Sequence, residues 1–196
     1  MTIEVELKFR LSDRTEIERK LLMLGAVAQP VQTQSDDYFQ HPCRDFAKTD
    51  EALRVRDTGQ TRVWCYKGPA LSGPTKARRE LELELAGNVT AEAMRELLGC
   101  LGFEYVLTVN KSRSPSELIW RGQRFQVSID EVPVLGTFLE LEILAEESEV
   151  SEARRAVSEL AGHLQLERAV EETYLELLQA TVALPVLAEK NSCEPA

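Results

Sequence analysis

Cysteine and histidine are scarce and scattered. The four cysteines, Cys43, Cys65, Cys100 and Cys193, form no close pair, and the two histidines, His41 and His163, stand alone. This argues against a zinc or dithiol site at short spacing. Cys65 and Cys100 lie in apolar contexts and are expected as small buried hydrophobes; the histidines, in a loop and at a helix end, are expected at the surface. No hydrophobic run approaches the ~20 residues of a membrane span. A strand-like segment begins almost at Met1 and leaves no room for a signal peptide, so a cytoplasmic protein is expected. Positive charge is also in deficit. The formal net charge is −10, and such a field repels nucleic acids and anionic membranes, so neither is expected as a partner.

The remaining composition is ordinary for a globular chain: 43% hydrophobic and 29% charged over 196 residues, enough for one domain with a real core. What stands out is where the charges fall. In the first segment Glu4, Glu6 and Lys8 alternate with Ile3, Val5, Leu7 and Phe9. A strand projects successive side chains to opposite faces, so the charged groups share one face. The alternation returns at Glu80, Glu82 and Glu84, which share a face with Arg78, and again at Glu140 and Glu142. Such carboxylate pairs are either well solvated or the ligands of a metal.

Each acidic strand is followed by a helix signal. Ser12 and Asp13 offer N-caps before a helix over 16–24 that stops at Gly25; Thr90 caps a helix through Leu97 and Leu98 before Gly102; Ser151 starts one through Val157 and Leu160 before Gly162. Between these units, 53–56 and 62–67 read as a hairpin around Thr58-Gly59, and 106–113 and 124–132 as a pair around Pro115. Residues 68–77, with two prolines and two glycines, read as a mobile loop. A short helix is expected over 171–179, with 181–196 a flexible tail.

The signs are sorted by strand: acids on the segments above, bases at Arg54, Arg56, Lys67, Lys111 and Arg113. A solvated scaffold does not require that. Amphipathic helices can cover apolar outer faces, and the charges then line the interior of an α+β fold, a closed antiparallel β-barrel with helices packed outside. Charges buried in such a bore need partners. A polyphosphate with a divalent cation satisfies both signs, bases taking phosphate oxygens and carboxylates taking the hard ion.

Glu4-Val5-Glu6-Leu7-Lys8 resembles the Glu-x-Glu-x-Lys signature of the CYTH superfamily, the triphosphate tunnel metalloenzymes. Further blocks follow in order. They are Asp36-Asp37-Tyr38-Phe39, the run from Asp45 to Arg56, Tyr66-Lys67-Gly68-Pro69, Lys111-Ser112-Arg113, Asp130-Glu131-Val132 through Gly136, Leu139-Glu140-Leu141-Glu142-Ile143, and Tyr174-Leu175-Glu176-Leu177-Leu178. The wording is most similar to class IV adenylate cyclases, with Thr173 where that branch often has serine. The resemblance implies a tunnel domain over 1–180 and Mg²⁺ or Mn²⁺ held by Glu4, Glu6, Glu140 and Glu142, with Asp130 as a further ligand or a partner of metal-bound water. It also implies a triphosphate bound by Lys8, Arg54, Arg56, Lys67, Arg78, Lys111 and Arg113. Lys8, Lys67 and Tyr38 are the catalytic candidates, Tyr38 being equally readable as a core tyrosine with a satisfied hydroxyl. Glu80, Glu82 and Glu84 would line the tunnel, Glu84 standing at a strand end where a solvated rim position is equally expected. Trp64 and Trp120 are expected in packing. The implied reaction is conversion of ATP to cyclic AMP and pyrophosphate. Hydrolysis of thiamine triphosphate or tripolyphosphate is the alternative, and a non-catalytic polyphosphate-binding domain a third reading. A homodimer is left open.

Overall fold

The computed structural model describes residues 2–190, with side chains as far as 182. Nine strands run β1 (Thr2–Arg10), β2 (Val27–Ala28), β3 (Gln32–Gln40), β4 (Ala52–Asp57), β5 (Arg62–Ala70), β6 (Lys76–Leu85), β7 (Glu104–Trp120), β8 (Gln123–Val132) and β9 (Gly136–Glu146). Around the sheet they are ordered β7-β3-β4-β5-β6-β1-β9-β8, and β8 pairs back onto β7. Eight antiparallel strands therefore close a barrel, and closure removes the exposed edges that an open sheet would present. The two-residue β2 is an extra strand, pairing with β7 at Ser116 and Glu117 beyond the end of the β3 pairing.

The helices are α1 (Arg14–Met23), α2 (Phe46–Thr49), α3 (Ala91–Cys100), α4 (Val150–His163) and α5 (Tyr174–Lys190). Three of the helices follow the acidic strands β1, β6 and β9. The Asp13 carboxylate accepts from the Glu16 amide at 3.0 Å and the Thr90 hydroxyl from the Ala93 amide at 3.1 Å, each satisfying an otherwise orphaned helix N–H. Gly25 and Gly102, both at φ +86°, follow α1 and α3 in a left-handed conformation that costs glycine little. The third unit differs from expectation. A 3₁₀ turn over Glu147–Glu149 with a Glu146/Glu149 capping box leads into α4, leaving Ser151 inside the helix. Gly162 does not stop α4 either; Gln165 adopts the left-handed turn, at φ +61°.

Outward-facing apolar residues meet the helices. Val5, Leu139, Leu141 and Ile143 of the barrel pack with Ile17 and Leu21 of α1 and with Val157 and Leu160 of α4. Phe39, Leu53 and Val55 pack with Met94 and Leu98 of α3, spaced four apart on one helix face. Arg95 ties the same helix to the sheet by two hydrogen bonds to the buried Asp37 carboxylate, at 2.6 and 2.8 Å. Inside the barrel a third cluster, including Val109, Val132, Phe138 and Tyr174 of α5, fills part of the bore. The interior is therefore not charged throughout.

Other boundaries are corrected as well. β7 runs through Pro115 and turns at Arg121-Gly122. Proline is tolerated there because the Pro115 edge facing β3 lies between the end of the β3 ladder and the start of β2; its carbonyl accepts from Gln29 N at 2.9 Å. The loop expected over 68–77 is shorter, 71–75, because both strands extend into it, and Arg154 of α4 donates to the Ser72 and Leu71 carbonyls at 2.6 and 2.9 Å. Cys100 is exposed rather than buried. α5 continues past 179, since 180–183 contains no glycine or asparagine to stop it. Of the tail expected over 181–196, residues 191–196, Cys193 among them, lie outside the described residues.

The two sides of α3 make a direct test of its docking. Leu98 is 0% exposed and Leu97 48%. Leu98→Ala should cost about 2–5 kcal/mol and Leu97→Ala less than about 1 kcal/mol, measured by urea unfolding. Equal losses would contradict the docking of α3 through its Met94–Leu98 face.

Candidate active site

The inward-facing positions of the barrel segregate by charge. Glu80 and Glu82 come from β6, Glu4 and Glu6 from β1, Glu140 and Glu142 from β9, and these three strands are consecutive around the barrel. The opposite arc β7-β3-β4-β5 supplies Lys111 and Arg113, Arg54 and Arg56, and Lys67. Register fixes the levels: Glu6 stands beside Glu142 and Lys8 beside Glu140 on β1 and β9, while Lys67 pairs with Glu80 across β5 and β6. The cavity between the walls measures about 230 Å³.

Ion pairs bridge the bore. Lys67 Nζ lies 2.5 Å from a Glu4 oxygen and 3.5 Å from Glu80, and the Arg54 guanidinium lies 3.6 Å from Glu80 and 3.9 Å from Glu82. Arg113 bonds Glu140. Burial opposes charge on Lys67, but Glu4, Glu6 and Glu80 prevail and hold its pKa well above the usual lysine value. Burial likewise pushes Glu140 up, but Arg113, Lys111, Lys8 and Lys67 outweigh it and keep the carboxyl well below its usual range. Lys8 is pulled down by burial although Glu140 and Glu6 oppose this. Its ammonium donates to the Glu172 carbonyl and sits 4.4 Å from the Tyr174 ring centroid.

The acid wall carries more charge than the bases facing it relieve. Glu142 is pushed up to about 8 by burial, then by Glu4 and Glu6, with Lys67 opposing. Glu6 is raised by burial and by Glu4. These buried carboxylates are all oxygen donors, which suits a hard divalent ion. Arg54 Nε of the basic arc and Arg78 Nε, on β6 beside the acids, are buried without any hydrogen-bond partner, which suits an acceptor-rich anion. The residues thus fit a divalent cation and a polyanion together. The four glutamates are not drawn onto one point, however. Among the described residues, the ligand atoms that converge within 4.8 Å are those of Cys65, Glu80 and Glu82.

Most of the expected site residues line this cavity: Glu4, Glu6, Lys8, Tyr38, Arg54, Arg56, Lys67, Arg78, Glu80, Glu82, Lys111, Arg113, Glu140 and Glu142. Glu84 does not; it is exposed, at the rim position that its strand-end location allowed. Asp130 does not line the cavity either. It is 0% exposed and accepts from Arg113 at 2.7 Å, from Lys111 at 3.2 Å and from the Tyr174 hydroxyl at 3.1 Å. Its oxygens are occupied, so the structure places it as a counter-ion rather than with the carboxylates facing the bore. Lys111, in this crowd, is lowered to about 8, by burial and then by Arg113. Tyr38 is buried against the apolar cluster while also facing the cavity; burial raises its pKa, and Arg54 is the main neighbouring cation that opposes this.

Three contributions escaped the sequence reading. Asp36 is buried and accepts from Arg56 at 2.7 and 2.8 Å, with Arg54 at 3.6 Å, so it orients both guanidinium groups. The signal was available, since Asp36 shares parity with Tyr38. Cys65 lines the bore and donates to Glu80 at 2.8 Å, its thiol pushed up to about 12 chiefly by burial. Thr173, just before α5, and Tyr174, its first residue, reach the bore, and no local pattern announces that long-range contact. Trp64 and Trp120 pack against apolar clusters as expected. His163 is exposed, and His41 packs on Phe46 and Phe103.

Comparison with known proteins matches this architecture. A protein of Methanocaldococcus jannaschii named "putative adenylate cyclase" is 34% identical over 180 residues, covering 89% of this chain and 98% of the relative. The structure of a Pyrococcus horikoshii protein superposes with a TM-score of 0.79 at 37% identity, covering 91% of this chain and 99% of that one. A Hippeastrum protein whose description reads "putative adenylyl cyclase" with "a dominant" triphosphatase activity shares the fold at 15% identity, with a TM-score of 0.62 and coverage of 92% and 96%. The CYTH domain family model matches residues 2–174. The chain belongs to the CYTH family, and its barrel bore is the region where a triphosphate-acting enzyme of that family would work.

Proposed function

We propose that this chain is a divalent-cation-dependent adenylate cyclase that converts ATP to cyclic AMP and pyrophosphate. The observation that carries the reading is the division of one bore into an acidic and a basic wall, with buried guanidinium Nε donors left unpaired on its lining. The name of the 34%-identical relative supports the choice of reaction. Arg54, Arg56, Lys67, Lys111 and Arg113 would take the phosphate oxygens, while Asp36 and Asp130 hold the guanidinium groups in place. Glu4, Glu6, Glu140 and Glu142 would hold Mg²⁺ or Mn²⁺, which supplies Lewis-acid polarisation of the phosphates and of the attacking hydroxyl.

In the reaction a bond forms between the ribose O3′ and the α-phosphorus while the bond from that phosphorus to the bridging oxygen breaks. The electron pair leaves with pyrophosphate, and the hydroxyl proton is released. The basic wall acts where that negative charge grows. Preorganised cations in a confined site stabilise the transition state without reorganising. Lys8, fixed by the Glu172 carbonyl, and Lys67, fixed by Glu4, are positioned for this role, and the Tyr38 hydroxyl faces the same space. The second reading is hydrolysis of the terminal phosphate of thiamine triphosphate or tripolyphosphate, by water in the same bore. It is favoured by the triphosphatase activity ascribed to the Hippeastrum relative of this fold.

Product analysis separates the two. ATP with Mg²⁺ or Mn²⁺ should yield cyclic AMP and pyrophosphate; ADP with orthophosphate, or tripolyphosphate hydrolysed far faster than ATP is cyclised, would replace the cyclase by the triphosphatase. Glu4→Gln and Glu142→Gln preserve shape but remove charge, and each should lower turnover about 100-fold or more while circular dichroism stays native. Near-normal activity at physiological Mg²⁺ would contradict the metal role.

A pH dependence follows without any activity. Glu142 titrates near 8 in the fold against 4.5 for an ordinary glutamate, so between those values the folded state holds more protons than the unfolded one. Stability from this group therefore falls as pH rises from about 4.5 to 8. The metal-free Tm should decline across that window, the decline should flatten in Glu142→Gln, and Mg²⁺ should oppose it by binding the ionised form. An unchanged slope in the variant would remove Glu142 as the cause.

A further inference from the structure

We propose that Asp50 is a positioning residue for the acid wall: it anchors Arg78 and so keeps that base from neutralising the glutamates that would hold a divalent cation. This rests on the proposed reading of the bore as a divalent-cation site. It gives a part in that site to a residue that does not line the bore.

Arg78 is a base among acids. It stands on β6 one inward position from Glu80, and its partner across β1 is Glu4. All three side chains line the bore, and residues directly opposed on one face of a sheet bring their Cβ atoms to about 5 Å. Arg78 is 3% exposed, so water competes little for its charge. A guanidinium so placed is expected to bond a neighbouring glutamate, as Lys67 bonds Glu4 and Arg113 bonds Glu140. Arg78 does not. Among the described residues its ion pair is with Asp50. Nη2 donates to the two carboxylate oxygens at 3.3 and 3.4 Å, and Nη1 to the Asp50 carbonyl at 3.3 Å. Nε is left without a partner.

The backbone around Asp50 fixes that contact. Asp50 caps α2 in the left-handed conformation, at φ +53°, which aspartate and asparagine tolerate better than most residues. β5 and β6 slip register nearby: Lys67 faces Glu80 while Ala70 faces Arg78, so β5 takes three steps where β6 takes two. A bulge of this kind disrupts the ladder locally, and here the Ala70 amide donates to the Asp50 carboxylate at 3.0 Å. The carboxylate is thus held from α2 and from β5, and Arg78 reaches it from β6. Without the anchor the guanidinium is free to turn inward, onto a wall where Glu142 and Glu6 already resist ionisation for want of neutralising charge. An Arg78–glutamate pair formed there competes with a cation for the same oxygens.

Asp50→Asn tests this. Asparagine suits the left-handed turn and keeps an acceptor for the Ala70 amide, but lacks the charge that holds Arg78. Mn²⁺ alone is titrated against the full chain, the free ion being followed by its paramagnetic resonance signal, with Arg78→Gln and the double variant alongside. Asp50→Asn should weaken Mn²⁺ binding about 10-fold or more, the order of one charge-assisted hydrogen bond that the ion must displace. Arg78→Gln should bind Mn²⁺ at least as tightly as the unaltered chain. The double variant should match Arg78→Gln within twofold, since no guanidinium is left to anchor. Two results would overturn the role. One is Mn²⁺ binding by Asp50→Asn within twofold of the unaltered chain. The other is a 10-fold loss from Asp50→Asn that persists in the Arg78→Gln background, where only the missing negative charge or a disturbed α2 turn can act. No Mn²⁺ bound by the unaltered chain, even with tripolyphosphate present, is a different result: it removes the divalent-cation reading itself, and the role of Asp50 with it.

Discussion

Six carboxylates and seven cations line a single bore, and the rest of the molecule is arranged to make that tolerable. An isolated charge moved into a protein interior neutralises or unfolds its host. Paired charges survive when geometry is fixed and the remaining donors and acceptors are satisfied. A closed barrel supplies the fixed geometry, since each wall strand is hydrogen-bonded on both sides and register cannot slip without turning every charge outward. An open sheet with the same alternation would simply solvate its polar face.

That arrangement inverts the usual barrel, and the helices follow from the inversion. With the polar face inside, Val5, Leu141 and Val55 point outward and must be covered, which α1, α4 and α3 do. The helices come after the acidic strands in sequence because each strand leaves the barrel at a capped turn. Buried counter-ions complete the scheme. Asp36 and Asp130 contribute no free charge to the bore, but without them Arg54, Arg56, Lys111 and Arg113 would repel one another at close range.

The fold was legible in the sequence because a strict period of two is hard to mistake when the polar positions carry full charges. Glu4, Glu6, Lys8, Arg54, Arg56, Glu140 and Glu142 all reached the cavity by parity alone. Parity leaves depth and tertiary contact undecided. Glu84 obeys the alternation yet sits past the end of the bore, since parity gives the face and not the depth. Asp130 faces inward as expected, but Lys111, Arg113 and Tyr174 converge on it from two other elements, and such convergence is tertiary. The turn misplaced at Pro115 came from treating proline as a strand breaker where a gap between two partner strands accommodates it. The register shift that leaves Val106 unpaired with β3 carries no glycine to betray it, so it could not be read from the pattern.

The ion pairs also dictate how ligands can enter. Lys67 is spoken for by Glu4, Arg113 by Glu140 and Arg54 by Glu80. A polyanion arriving alone would draw these cations off their carboxylates and strand negative charge on the acid wall, where Glu142 and Glu6 already resist ionisation. A cation arriving alone would do the reverse and strand the basic wall. Each therefore relieves the cost imposed by the other, and by linkage each must raise the other's affinity by the same factor. On the proposed reading the cross-bore pairs are thus more than stabilising contacts of the protein. They would make the bore selective for a ligand that brings both signs at once, a selectivity that neither wall has by itself.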